Sequence, residues 1–145
     1  MPNYQTRWAA IWGETFYTSA VNLAATGNTG VVATPLAPAS GRPAIFPLAF
    51  VALGNNMLTD ETNDLTIDWY LDAAGAYTVG TTTFNQLTAG ALSDVEGWPG
   101  DVTFYNAGRD MVPIPPYCKI TYTLGGTTKS MGFTLMLSYL TELGV

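Results

Sequence analysis

At 145 residues the chain is most simply one domain, long enough to bury roughly two thirds of its unfolded surface. Charged side chains make up only 11% of it, against a usual share of about 25%, and its net charge of −6 argues against nucleic-acid binding, which needs clustered Lys and Arg. No histidine and one cysteine, Cys118, exclude Ser-His-Asp and Cys-His catalysis, His-ligated zinc, thiolate metal centres and an intramolecular disulfide.

Along the chain, residues 1–25 combine a helical spacing of Trp8, Ile11, Trp12 and Phe16 with Gly13, Thr15 and a Phe-Tyr-Thr run that favour extended backbone. An extended N-terminal arm leading into a first strand is expected there. No basic segment followed by a long apolar run opens the sequence, so no signal peptide is expected. Residues 26–43 are rich in Gly, Pro and Ala and predict a long loop with one short strand near Val31–Thr34. Ile45 to Leu53 is nearly all apolar, as in a strand covered on both faces, and it contains Pro47 and is too short to span a bilayer. Gly54-Asn55-Asn56 then reads as a turn.

Asp64 to Asp72 alternates most cleanly: Leu65, Ile67, Trp69 and Leu71 are predicted to point in, and Asp64, Thr66, Asp68, Tyr70 and Asp72 out. Ala73-Ala74-Gly75 turns it into Tyr77–Phe84, giving a hairpin. Gln86–Leu92 is predicted as a loop, Trp98-Pro99-Gly100 as a turn, Asp101–Tyr105 as a short strand and Asn106–Asp110 as a further turn. Pro113, Pro115 and Pro116 cannot donate to a ladder and mark a rigid approach to the last pair of strands. In that pair, Cys118, Ile120, Tyr122 and Leu124 share one face, as do Met131, Phe133, Leu135, Leu137 and Tyr139. The pattern is that of a closing antiparallel hairpin.

About eight short strands with frequent turns predict an all-β fold, an antiparallel β-sandwich of jelly-roll type. Residues 1–145 are read as a single domain, with Ile67, Trp69, Ile120, Tyr122, Phe133 and Leu135 in its core.

Motifs for chemistry are few. Gly125-Gly126-Thr127-Thr128-Lys129-Ser130 lacks the spacing of a phosphate loop and joins two strands. Asp60-Glu61-Thr62-Asn63-Asp64 offers oxygen ligands to calcium but does not match the helix-flanked loop pattern, and a solvated loop is expected. Asp68 and Asp72 are four residues apart on one strand face, roughly 13 Å, too far for a glycosidase pair. Neither an enzyme activity nor a cofactor nor a metal is expected. The aromatics outside the core point instead to contact with other protein. Tyr4, Trp8, Ile11, Trp12 and Trp98 are the expected interface residues, since such side chains are enriched at protein contacts. The alternative for Trp98 and nearby Tyr is a sugar-stacking surface.

The run Leu65-Thr66-Ile67-Asp68-Trp69-Tyr70-Leu71, a turn and Tyr77-Thr78-Val79-Gly80, then Asn106–Asp110, Pro115–Thr123 and a final Phe-Thr-Leu strand resembles small structural proteins of tailed-phage virions. It looks most like capsid decoration (cement) proteins with a jelly-roll-like sandwich. The resemblance covers about residues 64–140. It implies a non-enzymatic protein on the capsid surface, assembled in the host cytoplasm. Its implied partners are the major capsid protein and further copies of itself, most simply as a homotrimer, with neither nucleic acid nor membrane. A carbohydrate- or receptor-binding module of a phage tail or fibre is the alternative.

Overall fold

A computed structural model of the chain describes residues 7–36, 44–97 and 113–143. Ten strands lie among the described residues: β1 (Arg7–Thr18), β2 (Gly27–Asn28), β3 (Val32–Ala33), β4 (Ile45–Asn55), β5 (Thr62–Tyr70), β6 (Thr78–Thr83), β7 (Leu87–Thr88), β8 (Ser93–Gly97), β9 (Tyr117–Gly125) and β10 (Gly132–Leu143). They form two antiparallel sheets. One has the order β1-β10-β4-β8; the other has β2-β9-β5-β6, with β3 also on β9 and β7 also on β5. The fold is an all-β sandwich, as the spacing of apolar residues predicts.

The inner faces of the two sheets make the core. From one sheet come Phe16, Ile45, Phe50, Ala52, Phe133, Leu135 and Leu137; from the other come Leu65, Ile67, Trp69, Cys118 and Ile120, all buried. Phe50 sits at the meeting of the sheets, with ring centroids 5.2 Å from Phe16, 5.9 Å from Trp69 and 6.2 Å from Phe84. Of the expected core, Tyr122 alone is only partly buried, and it packs against Phe133 at 5.7 Å.

Strand β5 keeps the expected alternation as far as Trp69. A register shift against β6 between Trp69 and Tyr70 then breaks the period. In consequence Tyr70 is buried and Leu71 lies 62% exposed, the reverse of the expectation for both. The β5–β6 hairpin forms as expected. Its turn is held by the Asp72 carboxylate, which accepts hydrogen bonds from the backbone N–H of Ala76 and Tyr77 at 3.1 and 3.0 Å.

The closing pair is the main correction. β9 and β10 do not form a hairpin: β9 pairs with β5, β2 and β3, while β10 pairs with β1 and β4. The chain between them arches from one sheet to the other, and their apolar faces meet across the core instead of lying side by side. Alternation fixes which face of a strand is apolar but not which strand it bonds to. Gly126, at φ +122°, supplies backbone that an L side chain rarely adopts at this crossing.

Other boundaries shift. Gly54 and Asn55 belong to β4, and the turn begins at Asn56, at φ +56°. β4 is fully buried on one face and mostly half-buried on the other. Pro47 is accommodated where β4 and β10 slip by one residue, a position at which a missing donor does little harm. Within the expected 86–92 loop, Leu87 and Thr88 form a short strand on β5. The predicted short strand near Val31–Thr34 appears as β3. The turns and strand expected within 98–110 lie outside the described residues.

Truncating a side chain at the meeting of the sheets removes both its burial and its ring contacts. Phe50→Ala is expected to cost about 3–5 kcal/mol and Leu71→Ala less than about 0.5 kcal/mol in denaturant unfolding. Equal effects would contradict the placement of both.

Candidate functional site

The two outer faces of the sandwich differ in chemistry. On the β5-containing sheet the outward residues are hydroxyls and charges: Thr66 stands beside Thr83 and Thr121, and Asp68 beside Thr81 and Lys119. Asp68 accepts a hydrogen bond of 2.7 Å from the Thr81 hydroxyl and lies 3.9 Å from the Lys119 ammonium. A face of this kind is at ease in water.

The outer face of the β1-β10-β4-β8 sheet is apolar. Cross-strand rows place Leu140 beside Phe46, Val51 between Met136 and Val95, and Leu53 between Thr134 and Ser93. Leu48 is 38% exposed at the slip in β4, and Val95 is 63% exposed on the edge strand. From the Thr134 row to the Leu140 row no described outward residue is charged; Glu142 stands one row beyond. Contiguous apolar surface rimmed by polar residues marks contact with another surface.

Trp12 borders this face. β1 is the outermost strand of the sheet and carries a bulge between Ile11 and Glu14, where Gly13 adopts φ +63° and its N–H donates to the Ser138 hydroxyl at 3.0 Å. The bulge leaves Trp12 74% exposed. Ile11, expected at an interface, is partly buried and packs against the core. Trp8 lies in β1 opposite Glu142. Tyr4 and Trp98 lie outside the described residues. The expected arm therefore becomes, from Arg7 onward, a strand bonded to β10 along most of its length. The rows along β4 and β10 were missed in the sequence because their outward residues interleave with core residues into one apolar run.

Elsewhere the side chains are set for structure. Burial pushes the Cys118 thiol up to about 11, with the Thr34 hydroxyl acting weakly the other way. A thiol of that kind is inert near neutrality. The Tyr139 phenol donates to the Glu14 carboxylate, and it is pushed up to about 12 by burial first, then by that bond and the adjacent negative charge. Among the described residues no group of three or more His, Cys, Asp or Glu side chains gathers to hold a metal. No protein-family model matches the chain, and no curated protein sequence matches it.

Two outcomes are expected. Cys118 should resist dithionitrobenzoate at pH 8 until the protein unfolds; rapid labelling of the native protein would contradict its burial. Tyr139 binds its proton more tightly in the fold than in the unfolded chain, so its contribution is complete below about pH 10 and is lost as pH rises towards about 12. Tyr139→Phe should flatten that part of the alkaline unfolding profile, read by circular dichroism.

Proposed function

We propose that this chain is a non-catalytic structural protein of a tailed-phage virion, a decoration protein that reinforces a capsid lattice. It docks through the apolar outer face of its β1-β10-β4-β8 sheet. That uncharged face, opposite a hydroxyl-rich and charged one, is the observation that carries the reading. Polarity of this sort suits a protein with one side on a partner and the other in water. The strand order supports assigning the sandwich to the jelly-roll type, since strands from the start of the chain pair with strands from its end in both sheets. The resemblance to capsid decoration proteins supplies the partner, the major capsid protein, and the homotrimeric state. Trp12, held out by its bulge at the border of the face, is the anchor, because a large aromatic contributes much contact area at little conformational cost.

The reading is tested by quantifying the chain on purified particles from its native source and by rebinding experiments. A fixed ratio to the major shell protein is expected. Trp12→Lys and Val95→Lys change exposed side chains and should leave the fold intact while weakening attachment roughly tenfold or more. Full-strength attachment by the double variant would rule this face out. Absence of the chain from particles would rule the function out.

A further inference from the structure

The sandwich contains two polar side chains that have no business in an apolar interior. Glu61 and Asn63 are both 0% exposed, and both Glu61 carboxylate oxygens and both Asn63 amide atoms lack a hydrogen-bond partner. Glu61, the residue before β5, and Asn63, within it, continue the alternation of Leu65, Ile67 and Trp69, and all five are buried. Asn63 stands between Leu124 and Leu87 on the neighbouring strands, both buried.

An isolated carboxylate in such surroundings costs several kcal/mol unless it is paired or coordinated. No cation among the described residues does the pairing: the ion pair there is Lys119 with Asp68, on the outer face. The flanking aspartates are engaged elsewhere. Asp60 accepts a 3.0 Å hydrogen bond from the Thr127 backbone N–H, and Asp64 accepts from the Gln86 amide at 3.1 and 3.3 Å. The Thr127 bond pins the β9–β10 crossing over Glu61. There a Cβ on Gly126 would lie 3.1 Å from Glu61 Cγ and 3.2 Å from the Asp60 carbonyl oxygen.

We propose that Glu61 and Asn63 are the protein ligands of a buried Ca²⁺ site at this end of the sandwich. The donor atoms are all oxygen: two from the carboxylate, one from the amide, with backbone carbonyl and water completing the shell, the donor set that Ca²⁺ takes. The Asn63 amide nitrogen is then left to donate to a water of that shell. Asp60 and Asp64, one and three residues from Glu61, balance the second positive charge from outside. Mg²⁺ fits less well, because it demands near-ideal octahedral geometry and gives up its waters reluctantly. The site is independent of the docking role proposed above.

The full-length chain, stripped of metal by chelation, is titrated with Ca²⁺ and followed by equilibrium dialysis and by the side-chain amide resonances of Asn63. One ion per chain and movement of those resonances are expected, with a Tm rise of about 5–10 °C at a hundredfold excess over Kd. Glu61→Gln should abolish the Tm response and be at least as stable as the metal-free wild type, since it removes the carboxylate while keeping the side chain's size. Asn63→Ala should weaken binding at least tenfold. Zero bound Ca²⁺, unmoved Asn63 resonances, equal binding by both variants, or a Tm response to Na⁺ in place of Ca²⁺ would each overturn the proposal.

Discussion

Phe50 ties the two sheets of this molecule together, and most of the remaining architecture follows from keeping its surroundings dry. Its ring meets Phe16 edge-on at 83° from its own sheet, and meets Trp69 and Phe84 from the other side of the core. Contacts of this type contribute about 0.5–1.5 kcal/mol each beyond the area they bury. The Trp69 indole N–H would be costly in such a place, and it donates to the Thr82 hydroxyl at 2.9 Å. The slips in β1, β4 and β5 are local adjustments of strands that must keep large inward side chains aligned while remaining bonded to their neighbours.

A two-sheet arrangement gives each strand an inner and an outer residue set, and here the outer sets divide the molecule. One outer face is threonine, aspartate and lysine. The other is mostly valine, leucine, methionine and phenylalanine, with the uncharged Ser138 and Thr15 among them and further serine and threonine at its end. The low charge content of the chain is therefore not spread evenly: the described outward face of β1-β10-β4-β8 carries almost none of it. The same bulge that lets Gly13 reach Ser138 also lifts Trp12 off the sheet and interrupts the outermost strand, which limits edge-to-edge pairing with other chains. The proposed docking accordingly uses the face and not the edge.

Polar groups that enter the interior are handled in two ways. Trp69, Tyr139 and Ser19 find partners within the chain, the last by accepting from the Phe133 N–H at 2.8 Å. Glu61 and Asn63 find none, although they sit on the same strand face as the best-packed residues in the protein. Among the described residues the Thr34 hydroxyl is also buried without a partner, but the unpaired buried carboxylate is that of Glu61, beside the β9–β10 crossing.

The sequence by itself determined the all-β class, the inward faces of β5, β9 and β10, and the β5–β6 hairpin, because strand side chains alternate with a period of two and short polar turns must separate the runs. Ile67, Trp69, Ile120, Phe133 and Leu135 were legible as core for that reason. Which strands bond to one another was not legible. β9 and β10 have the pattern of a hairpin and the reality of two facing strands, since alternation names a face and leaves the partner open. The same limit hid the apolar outer face of β4 and β10: when both faces of a strand are apolar, the period vanishes. Asp60 to Asp64 read as one polar loop, and only the tertiary structure divided it. Strand alternation carried Glu61 and Asn63 inward while Thr127 and Gln86 held Asp60 and Asp64 at the surface, a separation set by long-range neighbours that no local pattern contains.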